Sequence, residues 1–285
     1  MKINEIYNHK KPVVSFEVFP PKKEADVQGI YDTLEQLGNL HPDFMSVTYS
    51  AGGSGGSEIT LNIASLIKEK YGTECLPHLT CINSTADEVN KIVGDIRTRG
   101  IENIMALRGD IIGDSTGAGN FKYAKELISN IRKDYPDMCI GAAAYAEGHV
   151  ECESLDLSVE YLKQKVDAGA NFLVTQLFFD NRCFYNFYEK AKKARINVPI
   201  SAGIMPILSK GQIQKMIFMC GVSLPAEIIK ILYKYENNID DLKKAAMEYS
   251  ANQINDLISH GVDGVHIYTM NRPEIDRENV LRMKK

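Results

Sequence analysis

A carboxylate lies inside one of the most apolar runs of the chain, Val14-Ser15-Phe16-Glu17-Val18-Phe19-Pro20-Pro21. Aromatic rings flank Glu17, and two prolines stop the run. A carboxyl in such surroundings is expected to have a raised pKa and so to be suited to giving up a proton near neutral pH. The competing reading is a buried ion pair with an arginine. A second chemical grouping is Leu107-Arg108-Gly109-Asp110, which supplies a fixed cation, a bare backbone and a carboxylate within one turn. Such a set can hold a polar heterocycle beside a phosphate, although simple Arg-Asp turns also occur without function. The Gly-rich Ala51-Gly52-Gly53-Ser54-Gly55-Gly56-Ser57 lacks the lysine that follows in phosphate-binding loops, and reads as a lid or wall.

Elements of defined spacing must position these groups. The chain alternates short runs rich in β-branched residues with longer stretches of helical periodicity, which is the pattern of βα units. Eight strands are expected, at Val13–Phe19, Phe44–Tyr49, Cys75–Cys81, Asn103–Arg108, Cys139–Tyr145, Phe172–Phe178, Val198–Met205 and Gly264–Thr269. Amphipathic segments lie between them at Asp26–Leu40, Ile59–Tyr71, Ala86–Arg99, Tyr123–Tyr135, Ser154–Ala168, Cys183–Ala194 and Leu242–His260, with Ser57, Thr85 and Ser154 as capping residues. Ser209–Cys220 and Pro225–Tyr235 add helical material before the last strand. No G-x-G-x-x-G follows the first strand, which ends in Phe-Pro-Pro, so a closed (β/α)8 TIM barrel is preferred to an open doubly wound sheet. The whole chain, 1–285, is read as one catalytic domain.

In such a barrel, function gathers at the carboxyl ends of the strands. Taken in order, those ends carry Glu17, Thr48, His78 with Thr80, Arg108 with Asp110, Tyr145 with His149, Gln176, a Gly203-Ile204-Met205 turn, and Tyr268 leading to Arg272. Any one of these could merely satisfy its neighbours, but a polar group at the same end of seven strands argues for a ligand.

Composition excludes several classes. With 44% hydrophobic residues in 285, the chain can bury one large core. A net charge of −4 with scattered Lys and Arg offers no field for a nucleic acid. The N-terminal segment lacks a secretory h-region and no window reaches the ~18 apolar residues of a membrane span, so a cytoplasmic protein is expected. The six cysteines form no C-x-x-C pair, so buried reduced thiols are expected rather than disulfides or a zinc site. No lysine inside a strand suits a barrel aldolase.

Phe16-Glu17-Val18-Phe19-Pro20-Pro21, Ser46-Val47-Thr48-Tyr49, Pro77-His78-Leu79-Thr80-Cys81, Leu107-Arg108-Gly109-Asp110, Lys165-Val166-Asp167-Ala168-Gly169-Ala170-Asn171, Thr175-Gln176-Leu177-Phe178-Phe179-Asp180 and Tyr268-Thr269-Met270-Asn271-Arg272 resemble, in order and spacing, the motifs of methylenetetrahydrofolate reductases. Each motif alone is weak; seven in register from Val13 to Arg272 are specific. The resemblance implies an eight-stranded barrel that holds FAD without a dinucleotide fold. It implies a ping-pong reaction in which a reduced nicotinamide nucleotide, NADH or NADPH, gives hydride to the flavin and leaves. Methylenetetrahydrofolate then takes the hydride on the same face, serving methionine biosynthesis or one-carbon energy metabolism. By position, Glu17 would protonate N10 of the folate, Asp110 would bond the pterin and tune the flavin, and Gln176, Gln212 and Arg272 would hold substrate. Thr48, Tyr49, Ala51, His78, Arg108, Gly109, Tyr123, Ala124, Tyr145, His149 and Lys165 would contact FAD, the cations near its diphosphate.

The chain departs from the family pattern at Ala146, where proline is frequent, at Ser158, where a carboxylate meets the flavin ribose, and at Met216, where some members stack an aromatic ring on the nucleotide. The last change leaves open a flavin subunit that draws electrons from a partner protein or a ferredoxin-like donor. A homo-oligomer is expected, and the regulatory domain of animal members is expected to be absent.

Overall fold

The computed structural model describes residues 1–21, 27–49, 54–110 and 119–283. Eight strands close into a parallel barrel in sequence order: β1 (Val13–Val18), β2 (Phe44–Val47), β3 (Glu74–Thr80), β4 (Asn103–Leu107), β5 (Cys139–Ala144), β6 (Phe172–Thr175), β7 (Ile200–Ile204) and β8 (Gly264–Tyr268). The helices are α1 (Ile3–His9), α2 (Val27–Gly38), α3 (Ser54–Tyr71), α4 (Ala86–Thr98), α5 (Ala124–Asp134), α6 (Leu155–Asp167), α7 (Asn181–Lys193), α8 (Lys210–Cys220), α9 (Ala226–Lys234), α10 (Ile239–Ser259) and α11 (Pro273–Arg282).

All eight expected strands form; seven are shorter than the apolar run that marks them, and β3 keeps its seven residues but starts one residue earlier, at Glu74. The sixth run continues through Leu177 and Phe178, but the strand ends at Thr175; the Gln176 amide still donates to the Ala144 carbonyl at 2.7 Å, and Leu177 and Phe178 are buried in the clusters beneath the helices. Thr85 completes a capping box with Glu88, and Ser154 accepts from the Leu157 amide, so both helix starts follow the local code. Helix α3 instead begins at Ser54, three residues before Ser57. Two helices were not anticipated. Helix α1 has only seven residues and no side-chain cap, while α11 opens with Pro273 at its first turn, a legible start signal.

The interior of the barrel is layered. Ile3 and Tyr7 of α1 plug the amino-terminal end against Val13, Phe44, Leu76, Met105 and Phe172, all buried. The Tyr7 and Phe172 rings lie 5.9 Å apart and those of Phe172 and Phe44 6.1 Å apart, so an aromatic floor spans the barrel. A second cluster fills the space between sheet and helices, and a third joins α8, α9 and α10 to the ends of β6 and β7. Cys75, Cys81 and Cys139 are buried as expected, whereas Cys152, Cys183 and Cys220 are half-buried; all six are free thiols. No helix of the described residues is long and apolar enough to cross a membrane.

Phe172 joins plug, floor and sheet while fully buried. Phe172→Ala is expected to lower stability by roughly 3–5 kcal/mol in urea denaturation, the usual cost of emptying such a position.

Candidate active site

Above the aromatic floor the interior turns polar. Register brings Glu17 level with Ser46 on one side and Tyr268 on the other, and Ser15 level with His266. Because alternate residues of a strand share a face, Ser15 and Glu17 point inward together, as do His266 and Tyr268. Glu17 Oε2 lies 3.4 Å from Ser46 Oγ, 3.4 Å from His78 Nε2 and 3.6 Å from His266 Nε2.

This overturns the expectation of a raised Glu17 pKa. Burial does push it up, but hydrogen bonding to His266, the electrostatic interaction with the nearby His78 and His266 imidazoles, and the Ser46 hydroxyl together outweigh that, and the carboxyl is held below its ordinary value. Neither does an arginine pair with it. Arg108 turns outward to Glu151, with Nη1 at 2.6 Å and Nη2 at 2.9 Å from the two carboxylate oxygens, which raises the Arg108 pKa.

The end of β1 is clamped from β8. Thr269 Oγ1 donates to the Glu17 carbonyl at 2.6 Å, while Asn271 accepts from the Phe19 amide and donates to the Phe19 carbonyl. Met270 and Asn271 both hold left-handed backbone, with φ of 52° and 53°, to make that turn. The Thr-Met-Asn-Arg segment therefore fixes where Glu17 points. Across the barrel, Gly203 admits the Tyr268 ring, since a Cβ there would sit 2.8 Å from the ring and 2.2 Å from the Thr175 carbonyl, to which Tyr268 donates at 2.7 Å.

A cavity opens at the carboxyl ends of the strands and continues as a groove along α4 past Lys91 and Asp95, with a total volume of about 1610 Å³. Its wall includes Glu17, Thr48, Tyr49, His78, Arg108, Gly109, Asp110, Tyr123, Ala124, Tyr145, His149, Lys165 and Gln176. Ligand pockets commonly measure ~300–1,000 Å³, so this one has room for more than one small molecule. Ala51 lies outside the described residues. Gln212 and Arg272 are not in the wall. Gln212 spends its amide on its own loop, accepting from the Leu208 amide and donating to the Pro206 carbonyl. Arg272 is exposed at the start of α11.

The cations are spread along one side of the opening. Lys165 reaches from α6 to the Ala143 carbonyl at 2.6 Å and lies over the Tyr145 ring, and no carboxylate among the described residues pairs with it. Burial lowers its pKa to about 8. His149 stands edge-on to Tyr145, and its Nδ1 accepts from the Glu151 amide, so the neutral ring carries its proton on Nε2. Ser158 joins the wall and accepts from the His149 amide, whereas Asp156 is turned away to Lys190. Met205, Met216, Met219 and Met270 add a soft apolar lining to the same cavity.

Sequence reasoning missed His266, Ser46 as a partner of Glu17, and Glu151. The first was findable: once Tyr268 is placed inward, period-two alternation places His266 inward too.

A closed α/β barrel with a layered interior and a polar cavity at its carboxyl end defines an enzyme-type barrel. The family model described as methylenetetrahydrofolate reductase matches residues 2–283. The 5,10-methylenetetrahydrofolate reductase of Escherichia coli is 37% identical over 263 residues, covering 92% of this chain and 87% of that one. Methylenetetrahydrofolate reductase 1 of Schizosaccharomyces pombe and methylenetetrahydrofolate reductase (NADH) 1 of Arabidopsis thaliana are each 34% identical, over 95% of this chain; it spans about half of their length, 46% and 48%. Among solved structures, a Clostridium thermocellum protein described as binding two copies of 5-methyl-5,6,7,8-tetrahydrofolic acid superposes with a TM-score of 0.67 at 15% identity, covering 99% of this chain and 98% of that one, a likeness of fold. The chain belongs to the methylenetetrahydrofolate reductase family.

Lys165 is charged below its pKa and neutral above it, so binding of a diphosphate probe such as ADP should weaken as pH rises through about 8. Calorimetric titrations from pH 7 to 9 should show that loss, and Lys165→Met should flatten it.

Proposed function

We propose that this chain reduces 5,10-methylenetetrahydrofolate to 5-methyltetrahydrofolate with FAD held in the barrel mouth and a reduced nicotinamide nucleotide as electron source. The observation that carries this reading is Glu17, a carboxyl buried at the cavity floor with one oxygen 3.4 Å from Ser46 Oγ, 3.4 Å from His78 Nε2 and 3.6 Å from His266 Nε2.

The residues fit FAD. Lys165 is a half-buried cation with no carboxylate of its own, and Arg108 and His149 stand on the same stretch of wall, so a diphosphate supplies the missing counter-charge. Gly109, with φ of +86°, lets the strand-end backbone run close past Thr80 beside Asp110. Thr48, Tyr49, His78, Tyr123, Ala124 and Tyr145 line the remaining surface against which a planar ring system can lie. Bound there, FAD would supply the hydride transfer, first from the nucleotide and then to the folate.

The chain itself moves and holds protons. Glu17 gives its proton to N10 of the folate as the five-membered ring opens, which makes the exocyclic carbon electrophilic. Asp110, exposed on the wall, accepts from the pterin and sets a negative potential beside the redox ring. Gln176 uses its carbonyl oxygen on the Leu177 amide and so offers its NH2 to the cavity, where folate and nicotinamide follow one another. Arg272, exposed beyond β8, is suited to the acidic tail of a folate at the rim. Gln212 must release its Pro206 and Leu208 bonds before it can join them.

A second reading, electron delivery by a partner protein, is favoured by one feature. Met216 replaces a ring on the wall, and on the same helix Phe218 is 88% exposed and Met219 57% exposed. Rapid-mixing measurements on the flavin-loaded chain separate the readings. NADH or NADPH alone should bleach the flavin, and Glu17→Gln should leave that step within a few-fold while slowing oxidation by methylenetetrahydrofolate at least a hundredfold, of the order lost with a general acid. Failure of both nucleotides would support the partner, and equal loss in both half-reactions would assign Glu17 to structure.

A further inference from the structure

Beneath Glu17 lies a histidine that the foregoing chemistry leaves without a task. His266 is 1% exposed, stacked on Phe44 with centroids 6.1 Å apart and 19° between planes, and edge-on to Tyr268 at 5.3 Å. Packing of that kind fixes the ring plane, and the serine hydroxyls on either side set which way its nitrogens face. Nδ1 then faces Ser15 Oγ at 2.8 Å, and Nε2 faces Ser46 Oγ at 3.4 Å and Glu17 Oε2 at 3.6 Å.

Ser15 has one hydrogen to give. Its hydroxyl lies within 3.4 Å of the Val265 carbonyl, which has no hydrogen to offer. If the hydroxyl donates there, its oxygen accepts from Nδ1–H, and the neutral ring turns a lone pair at Nε2 toward Glu17. A lone pair facing a carboxylate across 3.6 Å in a buried site is repulsive, so one proton belongs between them, on Oε2 or on Nε2.

We propose that the acid is the Glu17–His266 pair holding a single proton, with His266 as the positioning residue and Ser15 fixing its tautomer. The inference rests on the reading of Glu17 as proton donor. During turnover the proton passes from Nε2 to the carboxylate and on to folate N10, leaving neutral His266 and anionic Glu17. Cavity water then restores it through His78, whose Nε2 is 3.4 Å from the same Glu17 oxygen and which lines the opening. The charge balances: one proton leaves with the folate nitrogen and one returns from water. The titratable groups facing the pair are His78 from β3 and Tyr268 from β8. Burial keeps His78 neutral at neutral pH, and burial together with the Glu17 charge keeps Tyr268 protonated.

Two measurements test it. The first uses the protein without flavin: 15N NMR of histidine-labelled chain should find His266 with Nδ1 protonated, its Nε2 resonance moving on Glu17→Gln and its tautomer mixture changing on Ser15→Ala. A neutral Nε2–H ring indifferent to both substitutions would overturn the proposal, whether or not the chain proves to be a folate reductase. The second follows folate-driven flavin oxidation against pH. With the pair intact, the rate should fall only at higher pH than in variants that break the pair. In His266→Asn, or in Ser15→Ala should the first fail to fold, the limb should move down by one pH unit or more in the former and by less in the latter. A limb that stays in place while only KM changes would make His266 a packing residue. A parent chain that binds flavin but never oxidises it with folate would remove the reading of Glu17 while leaving the NMR result to judge the pair.

Discussion

The polar layer of this barrel exists because a carboxylate is buried where water is scarce. A lone anion at that depth is costly, and the cost is met by partners drawn from three other strands, His78, Ser46 and His266, converging on one oxygen. Convergence from four strands is possible only if the sheet closes with one register, since a slip of one residue would turn each of these side chains outward. Closure, plug and aromatic floor thus serve the same end. They hold the Glu17 carboxyl at a fixed height beneath an open mouth.

The rest of the site is arranged by sign of charge. Cations gather on the wall built from the ends of β4 and β5 and from α6, where Lys165 lacks a carboxylate partner among the described residues and Arg108 is balanced by exposed Glu151. The part of the lining that comes from the end of β7 and from α8 is methionine-rich and uncharged apart from Lys215.

Much of this was legible beforehand. The eight strands, the order of polar groups at their ends and the extra helices before β8 follow from periodicity and capping, because each is a local property. Three things were not. Strand ends were read too long wherever apolar residues such as Leu177 and Phe178 continue past the last ladder bond to fill neighbouring clusters. The Glu17 environment was read as apolar from its neighbours in sequence, whereas its neighbours in space are imidazoles contributed by β3 and β8. Similarity of motif transferred the positions of Gln212 and Arg272 but not their side-chain directions, which local hydrogen bonds and helix geometry decide.

The account stands on Glu17 facing a folate bound over a flavin in the barrel mouth. A crystal structure of the chain with FAD and 5-methyltetrahydrofolate tests it most directly. The expected result is folate N10 within hydrogen-bond reach of the Glu17 carboxyl, with the flavin diphosphate against Lys165. A folate lying elsewhere, with Glu17 contacting only His78, His266 and Ser46, would contradict it.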